Sequence, residues 1–517
     1  MNNQNNSTGE PPVLLHHFLE ESARRFPEKV AVICNDRRIS YSELNALSNR
    51  FCRDLCSHGL HPGDRVALLH ENSIEFIAAY FGILKAGAIV APLQTDLVAE
   101  GFQSILPDLQ PAAIISSDRQ TAKIPDTAVC CVSLHTIMSD LSPVKDPGHV
   151  ISGHDLAEII YTSGSAGRPK GVLLTHNNIV ANTRSICACL NLTERDIQMV
   201  VLPFYYVFGL SLLHTHIAAG GTLVLNNQFC YADAVLEQMA AEKVTGFSGV
   251  PSTYAYLLHR STLRSMRERL PCLRYCSQAG GHMARQIKLD LRRALPDHTS
   301  IIVMYGATEA SARLTWLDPE RYLDKIDSIG REIPGVTISV MDENGRVLEP
   351  GKTGELVAAG PNIMPGYYRD AFATARVLDE HGYHTGDMGY RDAEGFLFLA
   401  GRRDNQIKIG GNRVDPQEIE DVIVGSGLVI EAVVIGISDD LMGTVPAALV
   451  VPDSEPFECD ALSRFCVHHL PRYKIPRAFF TVSALPKTGS GKIDRCKCIE
   501  TIEKLTRQTS PARHQYA

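Results

Sequence analysis

No stretch of 18 or more apolar residues occurs in the 517-residue chain, so nothing in it reads as a membrane span. A secretion signal is also missing: Met1-Asn-Asn-Gln-Asn-Asn-Ser-Thr-Gly9 is polar throughout and reads as a disordered tail. There is no excess of basic charge. Fifty Lys and Arg against 58 Asp and Glu leave a net −8, which gives no footprint for nucleic acid or an anionic membrane. The chain has 14 cysteines but no C-x-x-C. Cys130-Cys131 lies in a strand-like run, Cys187 and Cys189 in a helix-like one, and Cys496 and Cys498 in a basic segment; buried, reduced thiols of a cytoplasmic protein are the reading. His214-x-His216 and His468-His469 have no Cys or carboxylate at ligand spacing and read as structural or surface histidines. Internal repeats are absent, and so is low complexity outside the polar tails.

What is present is a chain too long for one core, so two or more domains are expected. Ala31–Cys34, Arg65–Leu69, Ala88–Pro92, Ala112–Ile115 and Gly221–Leu225 are short β-branched runs bounded by turns and read as buried strands. Ser42–Cys56 and Ser73–Lys85 between them carry apolar residues at helical spacing. Such alternation predicts an α/β fold with parallel sheets covered by helices on both faces. Beyond about residue 335 short strands follow one another between Gly, Asp and Pro turns, as in a small antiparallel or barrel-like subdomain. From Asp404 a shorter αβ pattern begins. The expected organisation is a tail at 1–11, a large N-terminal domain at 12–403 with its β-rich part at 335–403, a small C-terminal α+β domain at 404–507, and a tail at 508–517.

The richest segment is Tyr161-Thr-Ser-Gly-Ser-Ala-Gly-Arg-Pro-Lys170-Gly171, directly after the apolar run from Leu156 to Ile160. Hydroxyls, glycines and the cations Arg168 and Lys170 suit a loop that wraps phosphate oxygens with backbone N–H groups and side-chain donors. It is not a Walker P-loop. Only Ser165 and Ala166 separate Gly164 from Gly167, and Gly171 follows Lys170. A Gly/Ser surface turn is the plain alternative for this loop taken alone.

Four later segments decide between these readings: Tyr305-Gly306-Ala307-Thr308-Glu309, Tyr383-His-Thr-Gly-Asp387, Gly401-Arg402-Arg403-Asp404 and Pro486-Lys-Thr-Gly-Ser-Gly-Lys492. With these motifs in this order, from about Leu14 to Arg495, the chain resembles the superfamily of AMP-forming adenylating enzymes. That superfamily joins acyl-CoA synthetases, the adenylation domains of nonribosomal peptide synthetases, and luciferase; the look is nearest to fatty-acid-type acyl-CoA synthetases. The resemblance implies ATP and Mg²⁺ as cofactors and a two-step activation of a carboxylic acid through acyl-AMP. It makes Thr162, Ser163, Gly164, Ser165, Gly167, Lys170 and Thr308 phosphate ligands and Glu309 the Mg²⁺ carboxylate. Tyr305, Gly306, Gly280 and Gly281 would meet the adenine, and Asp387 and Arg402 the ribose. Lys492 would bridge the acyl carboxylate and the α-phosphate, with Thr308 and Glu309 beside it. Asp404 would be the hinge of a mobile C-terminal domain, whose other orientation presents the Gly410-Gly411 loop to the incoming thiol.

For the acid itself, the resemblance places the acyl pocket at Tyr205, Tyr206 and Val207, with Ser248, Gly249, Ala279 and Met304 as further walls. Amino-acid-activating relatives carry an Asp near Val207, whereas no acidic residue occurs from Val200 to Tyr231. A buried ammonium group without a counterion is costly, which favours a fatty or other uncharged acyl acid over an amino acid. Small residues along one wall suggest room for an extended chain. The acceptor is CoA or, as the alternative, the phosphopantetheine of a carrier protein; Arg413, Lys474 and Arg477 would suit the phosphates of the one or the acidic surface of the other. A non-catalytic binding protein is a third reading, and Lys170, Glu309, Asp387 and Lys492 occurring together speak against it.

Overall fold

A computed structural model of the chain describes residues 14–125, 130–133, 150–162, 169–403, 406–409, 412–439, 443–489 and 491–509. Two large sheets organise the N-terminal part. The smaller is seven-stranded. Its central strands Leu156–Thr162, Ile89–Pro92, Arg65–Leu69, Ala113–Ser116 and Cys130–Ser133 run parallel, and Lys170–Thr175 returns antiparallel to Leu156–Thr162. The larger sheet has a parallel half built from Val30–Cys34, Thr222–Leu225, Ile197–Val200, Gly246–Gly249, Tyr275–Gln278 and Ser300–Tyr305.

The helices form where the sequence puts caps and apolar faces. Ser40 closes a capping box with Glu43 at the start of Tyr41–Ser57, and Thr175 does the same with Asn178 at the start of His176–Leu190. Ile74–Lys85 and Val207–Ala219 are apolar on nearly every face, and both lie buried between layers. The strand and helix positions expected from periodicity are found within a few residues. Arg65–Leu69 matches at both ends, and Ser73 is the N-cap of its helix.

The β-rich part is not a separate barrel. Tyr305 pairs antiparallel with Thr315, and from there Ser328–Glu332, Leu397–Arg402, Gly382–Arg391, Gly354–Ala359 and Thr337–Met341 continue the larger sheet in antiparallel order.

The C-terminal part holds a three-stranded sheet, in which Val429–Asp439 pairs with Gly443–Pro452 and that strand with Ala478–Thr481. Helices Pro416–Gly425, Cys459–His469 and Arg495–Thr509 accompany it, the last running to Thr509 where the expected limit was 507. Its apolar side chains merge with those of the larger sheet's helices into one cluster that includes Leu291, Ile419 and Val433. His282 meets Asp421 at 2.9 Å and His259 meets Asp453 at 3.0 Å across the same junction. Among the described residues, no helix is long and apolar enough to cross a membrane.

Candidate active site

Strand pairing brings the first motif to the second. Thr162 lies opposite Lys170 at the mouth of the Gly-rich hairpin, with its hydroxyl 3.4 Å from the Lys170 carbonyl oxygen. Lys170 Nζ stands 5.0 Å over the ring of Tyr367. The Tyr367 hydroxyl in turn donates to Glu309 Oε1 at 2.8 Å. Gly366–Tyr367 pairs with the strand that begins at Lys170, which is why this ring reaches between the two motifs. Ser163, Gly164, Ser165, Gly167 and Arg168 lie outside the described residues, as do Asp404, Gly410 and Gly411.

Tyr305 ends its strand with its hydroxyl donating to Asp387 Oδ2 at 2.6 Å. Asp387 is cross-strand partner to Arg402, whose Nη1 is 3.3 Å from Oδ1. Burial pushes the Asp387 carboxyl above its ordinary value, against the opposing pull of Arg402, the Tyr305 hydroxyl and Lys492. The Tyr305 phenol is raised well above its usual range, first by burial and then by the Asp387 charge.

Lys492 arrives from the C-terminal part on a loop held from the N-terminal side. Tyr205 Oη donates to the Gly489 carbonyl oxygen and Ser252 Oγ to that of Gly491, each at 2.7 Å. Within the loop, the Thr488 N–H bonds the Lys492 carbonyl at 2.7 Å. The ammonium comes to 5.0 Å from the ring of Tyr206, the residue that caps Val207–Ala219. Gly280 makes this approach possible. Its φ is +85°, and a Cβ there would lie 2.7 Å from Tyr206 Oη and 3.4 Å from Lys492 Cε.

These groups border a narrow cavity of about 20 Å³ lined by Tyr206, Val207, Phe208, Ala279, Gly280, Gly306, Thr308, Ala312, Arg313 and Lys492. Four expected wall residues have close partners of their own. Tyr205 holds Gly489, Ser248 bonds Ser277 at 2.7 Å, Gly249 backs onto Thr253, and Met304 is core. Two of the lining residues, Phe208 and Ala279, belong to a buried cluster with Leu212, Tyr275 and Met304, each at most 4% exposed. Tyr275 is fixed there by bonds to Gln198 (2.7 Å) and His216 (3.2 Å), so His216 is a core histidine. His214 bonds Tyr80 at 2.7 Å in the same buried layer.

Three lining residues, Phe208, Ala312 and Arg313, were not among the candidates drawn from the sequence. Arg313 is 3% exposed, and its guanidinium lies 3.9 Å over the Phe208 ring. Burial lowers it to about 10. A lone cation in the apolar run Ala312-Arg-Leu-Thr-Trp-Leu317 was the available signal. Lys474 donates to Glu418, within the C-terminal part.

A profile of AMP-binding enzymes matches residues 19–368, and one of the C-terminal domain of AMP-binding enzymes matches residues 418–492. The chain belongs to the AMP-binding enzyme family. It is 32% identical over 499 residues to the 2-succinylbenzoate–CoA ligase of Bacillus licheniformis, covering 94% of this AMP-binding enzyme and 100% of the relative. The Bacillus subtilis o-succinylbenzoate–CoA synthetase in complex with ATP and magnesium superposes with a TM-score of 0.81 at 29% identity, covering 92% of this chain and 98% of that one. ATP-bound MatB from Rhodopseudomonas palustris gives a TM-score of 0.85 at 26% identity, covering 95% and 100%. Within the family, this AMP-binding enzyme is an acid–CoA ligase of the acyl-CoA synthetase type.

Proposed function

We propose that this enzyme activates a compact carboxylic acid, in place of a long-chain fatty acid, to acyl-AMP with release of pyrophosphate, and then passes the acyl group to CoA. ATP and Mg²⁺ serve the first step. The observation that carries the reading is the meeting of Lys492, Thr308 and Gly280 around one narrow cavity, with Asp387 near enough to feel the charges of Lys492 and Glu309. Attack of a carboxylate on the α-phosphate presses two anions together, and the site must neutralise what accumulates. Lys492 supplies charge where the two meet. Lys170, Thr162 and Thr308, with the loop at 163–168, hold the phosphates. Glu309, one of whose oxygens accepts from Tyr367, would hold the Mg²⁺ that neutralises phosphate charge. Asp387 and Arg402 take the ribose, and adenine lies along Gly280, Gly281 and Tyr305.

The compact acid is supported by the small volume of the cavity and by the buried cluster to which its lining residues Phe208 and Ala279 belong. An acid without an ammonium group is supported by the absence of carboxylates from Val200 to Tyr231. CoA as acceptor, in preference to a carrier protein, follows the named chemistry of the relatives. The cytoplasm is the proposed compartment.

Replacing Lys492 tests the assignment. In Lys492→Ala, ATP–pyrophosphate exchange should fall roughly 100- to 1000-fold, the scale for losing one transition-state donor. Thioester formation from supplied acyl-AMP and CoA should stay within a few-fold of the parent. Equal loss in both half-reactions would remove Lys492 from the adenylation step.

A further inference from the structure

Resting on the ligase reading above, we propose that Arg313 binds a second carboxylate of the acid, so that the substrate is a compact dicarboxylic acid activated at one end and anchored at the other. Arg313 shares its cavity with Lys492 and Thr308, where the reacting carboxylate belongs. Its guanidinium is buried, yet it forms no ion pair among the described residues. Nη1 donates to the Ala312 carbonyl oxygen at 3.1 Å, and Nε is buried with no hydrogen-bond partner. A buried cation left in this state is expensive, and a partner that arrives with the substrate would relieve it.

The geometry favours an oxyanion as that partner. Stacking on the Phe208 face occupies one side of the guanidinium plane and leaves its N–H edge as the polar direction. A carboxylate is the planar acceptor that matches such an edge, two oxygens to two donors. The fold also goes to some length to hold Arg313 in place. Ser311 and Ala312 both have positive φ, +55° and +114°, which is strained backbone for residues with a Cβ. Gly306 must be glycine for this loop to close, because a Cβ there would lie 2.1 Å from the Ala312 carbonyl oxygen. Two buried asparagines clamp the result: Asn182 bonds both the N–H and the carbonyl of Arg313, and Asn362 bonds the carbonyls of Ala310 and Arg313. A side chain serving only as apolar filler would need none of this support.

The experiment compares matched acids. Aliphatic α,ω-dicarboxylic acids of four to eight carbons and aromatic dicarboxylic acids are assayed by ATP–pyrophosphate exchange, each beside its monomethyl ester, together with a panel of monocarboxylic acids. The intact enzyme should use at least one diacid with a kcat/KM roughly 100-fold above its monoester, the scale of one buried charge pair. Arg313→Met should erase that preference, mostly by raising KM for the diacid, and Arg313→Lys should restore part of it. Equal use of diacid and monoester by the intact enzyme would overturn the inference whether or not the variants fold. So would Arg313→Met lowering both alike, or exchange with monocarboxylic acids only. Exchange with none of the acids would instead strike the ligase reading beneath it.

Discussion

At Asp387, burial and its neighbours pull the carboxyl in opposite directions. Burial favours the protonated form, while Arg402, Tyr305 and Lys492 favour the charged one, and the balance leaves the group above an ordinary aspartate. In the ribose role proposed above, the carboxylate offers acceptors alone to the two hydroxyls, whereas the protonated group turns one oxygen into a donor. The sign follows directly: charge is present above the raised value and is lost as pH falls through it. The kcat/KM for ATP should therefore decline on the acid side at a higher pH than a free aspartate would give. Asp387→Asn should lower kcat/KM at neutral pH and abolish that limb of the profile. A variant with the same acid limb as the parent would show that another group sets it. The same residue-by-residue view explains what a reader of the sequence finds and what escapes. Asp387 stands in a motif, so its type and neighbours announce it. Tyr367 and Arg313 act through distances of 2.8 Å and 3.9 Å to partners 58 and 105 positions away, which no local pattern records.

Small residues in strands carry a second lesson, this time about elements. Ser248 and Gly249 read in the sequence as small residues leaving room for a ligand, and small residues of that strand also admit close neighbours. A Cβ on Gly246 would lie 2.4 Å from the Tyr275 ring, and one on Gly249 would lie 2.8 Å from Thr253. Strands and helices were legible because their periods are local; the occupants of the gaps between them were not. Gly280 is different, since its neighbours are Tyr206 and Lys492 and its φ is positive. Gly280→Ala should leave the fold nearly intact, at about 1 kcal/mol of backbone strain. Displacing the lysine should cut acyl-AMP formation roughly 100-fold, as small misplacements in active sites do. Comparing the melting temperature with the exchange rate checks this. A wild-type rate would mean that the Tyr206–Gly280 approach is not needed for the chemistry.

For the molecule as a whole, the described arrangement has Lys492 delivered into the N-terminal cavity, which suits the first half-reaction. The second needs a different approach, and we propose rotation about Asp404, bringing Gly410 and Gly411 toward the thiol. Asp404→Pro fixes φ at one value. Acyl-AMP should still form at near the parent rate, whereas CoA thioester formation should fall by at least roughly tenfold, measured by single-turnover chromatography of both products. Unchanged overall turnover would mean the hinge lies elsewhere. The order of motifs along the chain made the two-part enzyme legible from sequence, because each motif keeps its own local chemistry. The contact between the parts was not, since it is made by ordinary residues such as Ser252 and Tyr205.

Both of those residues grip main-chain carbonyls, at Gly491 and Gly489. The docking surface thus reads the course of the loop and also demands glycine there: a Cβ on Gly489 would lie 2.3 Å from Gln94 Nε2 and 2.7 Å from Tyr205 Oη, and Gly491 has a φ of +80°. A lysine-bearing loop grafted from a distant family member would seat itself as the native one does, provided its backbone follows the same path and it keeps both glycines.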